Sequence, residues 1–132
     1  MPIPAEELTA RELLRSVVGE RDAEVYEALG FLAVEDDGAE YGYLIYPQRP
    51  IVSYDARSGE LLSEYCVRFR DRSDRLPDAD DVLAKWMALH WDEAELLAIA
   101  NLDQLGTQLD PEMVRGDLAA LRAWREREEV TA

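Results

Sequence analysis

The chain has 132 residues, of which 48% are apolar and 33% charged. That is enough for one packed core and too apolar for a disordered tail. Fourteen Lys and Arg against 29 Asp and Glu leave a net charge of −15, a field that repels nucleic-acid phosphates and anionic membrane surfaces and draws in cationic partners. Cys66 is the single cysteine, which excludes an internal disulfide and a multi-cysteine zinc site. No apolar run approaches the roughly 18 residues that span a bilayer, and Met1 to Glu7 lacks the basic and apolar regions of a signal peptide. The expectation is therefore a single cytoplasmic domain over 1–132, with no cofactor.

In chain order, Thr9-Ala10-Arg11-Glu12 reads as a capping box, so a helix is predicted from about Ala10 with Leu8 and Leu13 as its hydrophobic staple. Leu14, Val17 and Val18 continue its apolar stripe. Gly19 interrupts it, Asp22 caps a second short helix with Val25, Tyr26 and Leu29 on its inner face, and Gly30 closes it. The period then shortens to two. Phe31–Glu35, a turn at Asp36-Asp37-Gly38 and Glu40–Tyr46 read as a hairpin, and Ile51–Asp55 and Glu60–Phe69 around Gly59 as a second. These segments make a four-stranded antiparallel meander. On its last strand Leu61, Ser63, Tyr65, Val67 and Phe69 share one face, while Leu62, Glu64, Cys66, Arg68 and Arg70 share the other.

Asp78 after Pro77 reads as the cap of a helix carrying Val82, Leu83, Trp86 and Met87 inward. Asp92 with Glu95 forms a further cap, flanked by Trp91 and Leu96 at staple positions, so the helical stretch is expected to break between His90 and Asp92. A loop containing Gly106 leads to Asp110-Pro111, the start of a last helix with Met113, Val114, Leu118, Leu121 and Trp124 on its apolar side and Arg125–Glu129 fraying into solvent. The fold class expected is α+β: a short antiparallel four-stranded meander packed by an N-terminal helical hairpin and C-terminal helices.

Cys66-Val67, Leu76-Pro77, Asp81-Val82-Leu83-Ala84-Lys85, Ala88-Leu89, Asp92-Glu93 and Ala100-Asn101 together resemble a pattern in small proteins of actinobacteria and their phages to which no activity is attached. The resemblance covers about a third of the chain and implies a compact strand-to-helix module from a high-GC bacterium or phage.

His90 is the one imidazole, and Glu93 stands one helical turn from it. Such a pair suits proton transfer or a metal, but a dinuclear carboxylate site needs a second histidine. A helix ending near His90 gives the ring a structural role at the negative end of the helix dipole. Cys66 between Tyr65 and Val67 reads as a packing residue, Glu35-Asp36-Asp37 as a turn and Asp78-Ala79-Asp80-Asp81 as a helix start, so no catalytic or metal-binding residue is assigned. Gly-rich phosphate loops, nucleophile elbows and zinc-protease helices do not occur.

Five of the six tyrosines, Tyr41, Tyr43, Tyr46, Tyr54 and Tyr65, fall on the proposed strands, which leaves two readings, helices covering both faces of the sheet or an aromatic sheet face able to meet a partner. Arg68, Arg70 and Arg72 share strand parity and form a cationic stripe that suits a carboxylate or an acidic helix of a second copy, giving a symmetric dimer. The functional expectation is a non-enzymatic acidic protein-binding module, such as an inhibitor, immunity or regulatory protein. It uses Tyr41, Tyr43, Tyr46, Tyr54, Tyr65, Arg68 and Arg70 to bind a basic or mixed-charge protein, with no direct nucleic-acid or membrane contact. The alternative is a small-molecule-binding protein or enzyme with a cleft around His90 and nearby carboxylates.

Overall fold

The computed structural model describes residues 3–67, 76–104 and 106–131. Helices α1 (Ala5–Val18) and α2 (Glu20–Leu29) lead into strands β1 (Leu32–Val34), β2 (Tyr41–Ile45), β3 (Ile51–Asp55) and β4 (Leu61–Cys66). Helix α3 (Asp78–Ile99), strand β5 (Asn101–Gln104) and helix α4 (Pro111–Thr131) follow. The expected α+β class and the four-stranded antiparallel meander are present, and β5 pairs antiparallel with β4 to extend the sheet in the order β1-β2-β3-β4-β5. The sequence predicts no strand at 101–104, whose four residues, Asn, Leu, Asp and Gln, are weak strand formers; pairing with the edge of β4 supplies what composition does not.

Helices cover both faces of the sheet. Tyr43 and Ile45 of β2 and Ile51 of β3 pack with Leu14 of α1 and Val82 and Leu89 of α3. Leu44, Val52, Tyr54 and Leu61 on the opposite face pack with Val114, Leu118 and Leu121 of α4. Two separate cores result, one on each side of the strands, and α2 contributes Tyr26 to the first and Val25 to the second. The inner face predicted for α4 is thus the buried one.

Helix boundaries depart from the caps read in the sequence. α1 begins five residues early, after Pro4, so Thr9 lies inside the helix and Leu8 and Leu13 are exposed instead of stapled together. Pro4 fixes an extended φ just outside the helix, and Glu6 and Glu7 suit the positive end of its dipole. Gly19 joins α1 to α2 at φ 97° and ψ 166°, a region open only to glycine, so α2 starts at Glu20 and Asp22 lies within it. α3 begins after Pro77 with no side-chain cap of its own. Glu7, 72 residues earlier, supplies one: its Oε1 accepts the Ala79 N–H at 2.9 Å, while Oε2 pairs with Arg11 at 2.7 Å and accepts the Tyr26 hydroxyl at 3.2 Å. The cap at Asp92 does form. Its Oδ1 accepts the Glu95 N–H at 3.2 Å and its backbone is non-helical (φ −154°, ψ 68°), so α3 is kinked there. Trp91, expected beside it as a staple, is 66% exposed. Asp110 caps α4 as expected, accepting the Glu112 N–H at 3.0 Å.

A shift in register between β3 and β4 moves β4 relative to its expected alternation. Ser53 pairs with Ser63 but Tyr54 pairs with Leu61, so Leu62 is an extra, exposed residue. Leu61 and Glu64 consequently share the face toward α4, and Tyr65 points to the other core. Glu64, assigned by period-two reading to the face opposite Leu61, is fully buried.

Gly42 of β2 lies opposite Tyr54, whose ring crosses over it to bring its hydroxyl to Glu35 at 2.7 Å. A methyl group at position 42 would overlap the Cζ, Oη and Cε2 atoms of that ring. Gly42→Ala is therefore expected to destabilise the fold by about 1–3 kcal/mol, the range for overpacking a filled core, measured by urea unfolding.

Candidate functional site

Among the described residues the sheet presents no aromatic face to solvent. Tyr43, Tyr46 and Tyr54 are buried, Tyr65 is half-buried edge-on to Tyr43 at 6.4 Å between ring centres, and Tyr41 alone of the five is exposed. The hydroxyl of Tyr46 donates to Asp117 at 2.8 Å and that of Tyr54 to Glu35, while Tyr43 lies within the field of the Glu93 carboxylate. Burial first, and then the carboxylate beside each, pushes all three phenols well above their ordinary range. These rings join strands to helices, and the expected docking face is corrected accordingly: α3 and α4 occupy the surfaces it would have offered. Arg68, Arg70 and Arg72, the remaining members of that expectation, lie outside the described residues.

Polar side chains converge instead beside β1. A cleft of about 480 Å³ opens there, walled by Arg21, Asp22 and Val25 of α2, by Trp86 and His90 of α3, and by Leu121, Arg125 and Glu128 of α4. Its floor is Ala33 and Val34, continuing into Glu35, Asp36 and Asp37. The layering explains the convergence. β1 is an outer strand, with α3 above the sheet, α4 below it and α2 contributing to both cores, so side chains from all three helices meet where the sheet stops.

The charges in the cleft are unbalanced, with five carboxylates facing two guanidiniums. Arg125 reaches Glu35 at 3.4 Å and Arg21 reaches Glu128 at 3.0 Å. Asp36 and Asp37 take no side-chain ion pair or hydrogen bond among the described residues, and both are exposed. Burial, reinforced by Glu128 and opposed by Arg21 and Arg125, raises the pKa of Asp22. Negative charge at Asp22 is thus disfavoured by lost solvation, and a cation entering the cleft would relieve that penalty.

His90 stacks on Trp86 with ring centres 4.9 Å apart and planes 5° from parallel, and meets Trp91 edge-on at 5.9 Å. It lies two residues before the kink, so its expected role of capping a helix end falls to an aromatic stack. The His90–Glu93 pair is not made, because the kink at Asp92 stands between the two residues. Among the described residues no three His, Cys, Asp or Glu side chains are grouped so as to hold a metal ion. Cys66 is half-buried at the end of β4.

Local sequence names His90 and the 35–37 carboxylates separately and places Asp22 at a cap, Trp86 in a core, and Arg125 and Glu128 in a fraying terminus. The usable signal was helical spacing: Trp86 with His90, and Leu121 with Arg125 and Glu128, stand at intervals that share a helix face. Nothing local linked those faces to β1. No protein-family model matches the chain, and no curated protein or solved structure shows significant similarity to it.

Proposed function

We propose that the protein is a non-enzymatic binding module of the cytoplasm that receives a basic or mixed-charge protein on its acidic surface, in the manner of an inhibitor, immunity or regulatory protein. The contact region is the cleft beside β1. The observation that carries this reading is the excess of carboxylates over guanidiniums there, combined with Asp36 and Asp37 at its open end. A cationic side chain entering the cleft gains the charge of Asp22, Glu35 and Glu128 in partly desolvated surroundings, where each interaction exceeds its value in water. The Trp86–His90 stack adds a flat wall on which a guanidinium can lie. The net charge of −15 extends the attraction beyond contact distance and speeds encounter.

The test reverses the exposed charges. Asp36→Lys with Asp37→Lys is expected to reduce recovery of the partner from the source cytosol by about tenfold or more, with the fold intact by circular dichroism. Recovery by the unaltered protein should fall steeply between about 50 mM and about 500 mM salt, where screening shortens to a few ångströms. Partner recovery that is indifferent to both the reversal and the salt would overturn this reading.

The enzyme or small-molecule reading is favoured by one observation. His90 and five carboxylates line the same cleft, and its volume falls within the roughly 300–1,000 Å³ of ligand pockets. Its signature is loss of a measurable turnover or ligand in His90→Ala while capture of the protein partner is unchanged.

A further inference from the structure

Among the described residues, one face of helix α1 has no partner in the fold. Leu13 is 51% and Val17 is 39% exposed, and they follow Ala5 and Thr9 at four-residue intervals, so these four side chains form one ridge. The core-facing residues Glu7, Ala10 and Leu14 lie to one side of it. Between the ridge and the start of α3 runs a groove of about 490 Å³, with Ala10 and Leu13 on one wall, Pro77 on the other, and Glu6 and Asp80 at its rim. No cation lines it. The guanidiniums of α1 are engaged elsewhere, Arg11 on Glu7 and Arg15 on Glu20 and Glu27. Burial first, and then the negative charge of Glu7, raises the pKa of Asp80.

We propose that this groove docks an amphipathic helix of a partner protein, its apolar side chains on Leu13, Val17 and Pro77 and its Lys or Arg on Glu6 and Asp80. Length and period fit this mode: the ridge runs over three turns of α1, from Ala5 to Val17, and a helix laid beside it meets the ridge at the same i and i+4 spacing. Charge selects the occupant. A second copy of this chain would bring the same two carboxylates against Glu6 and Asp80 under a net charge of −15 per chain, whereas a basic helix neutralises both. The groove shares no residue with the cleft beside β1, and the inference does not rest on the cleft reading.

The experiment is fluorescence anisotropy with a labelled Leu-Lys peptide of about 18 residues in helical period, long enough to fold on contact. The same composition in alternating order serves as control. The helical-period peptide is expected to bind about tenfold more tightly than its control. Leu13→Glu with Val17→Glu, and separately Glu6→Lys with Asp80→Lys, should each weaken it about tenfold, a loss of roughly 1.4 kcal/mol. Asp36→Lys with Asp37→Lys should leave its affinity within about twofold. Leu13→Ser with Val17→Ser repeats the test at the same two exposed positions should the Glu pair unfold the protein. Three results overturn the proposal: equal binding of the alternating peptide, affinity untouched by the α1 variants, or a concentration-dependent dimer that the Leu13 and Val17 variants abolish. Loss of binding in the Asp36 and Asp37 variant alone would also overturn it while supporting the cleft, which keeps the two readings separable.

Discussion

Glu64→Ala is expected to lower the free energy of unfolding by about 3–5 kcal/mol, a large part of the roughly 5–15 kcal/mol that holds a domain of this size together. Glu64 is fully buried on β4. Its Oε1 accepts the N–H groups of Gly106 and Leu109 at 2.9 and 3.0 Å, and its Oε2 accepts that of Gln108 at 3.0 Å. One carboxylate thus organises the turn that carries the chain from β5 into α4, and Leu109 within that turn belongs to the core beneath α4. Truncation to Ala removes the acceptor for three backbone donors at once and leaves a void behind them. Glu64→Gln keeps the oxygen that serves two of the donors and turns an amide toward the third, so its cost should be smaller, about 1–2 kcal/mol. Urea unfolding of both variants checks the order, and a Gln variant as unstable as the Ala variant would show that the charge, not the count of acceptors, matters.

Lys85→Met is the second large effect, expected at about 3–5 kcal/mol by the same unfolding measurement. Lys85, the sole lysine of the described residues, is 2% exposed. Its ammonium donates to the Tyr46 carbonyl at 3.2 Å, the Arg49 carbonyl at 2.9 Å and Asp81 Oδ2 at 2.7 Å. The Gln48 N–H donates to the same Asp81 oxygen at 2.7 Å, and Gln48 itself is held at φ 59°, a left-handed conformation uncommon for a residue with a side chain. The ammonium therefore ties the β2–β3 connection to the first turns of α3. Met matches its stem in length but strands a buried carboxylate and two carbonyls. Asp81→Ala combined with Lys85→Met should cost less than the sum of the single changes by about 1–3 kcal/mol, because the stranded charge is gone. Strict additivity would mean that the two side chains act independently.

Both residues show why charge composition misleads in this protein. A net charge of −15 invites the view that acidic side chains belong to the surface. Glu64, Glu7 and Asp81 instead hold the turn before α4, the start of α3 and the β2–β3 connection, each by accepting backbone N–H groups.

Most of the elements, though not β5 or the start of α1, and the α+β class are legible in local sequence. The 3.6-residue periods of α3 and α4, the period-two runs, the Asp36-Asp37-Gly38 turn, Gly19 and Gly30 between elements, and the caps at Asp92 and Asp110 all arise from chemistry within a few residues. Local reading recovers such features. Only the tertiary structure decided that Glu7 caps α3 from 72 residues away, that Glu64 reaches donors 42 to 45 residues further on, and that Tyr43, Tyr46 and Tyr54 are sealed on both faces. It also decided that residues from three helices meet at the β1 end of the sheet. The physical reason is that hydrogen-bond satisfaction and burial are settled by whichever groups the packed layers bring together. A single extra residue at Leu62 was enough to carry Leu61 to the other face of β4, beside Glu64, and the turn before α4 then closes over that carboxylate and makes it a buried support of the fold.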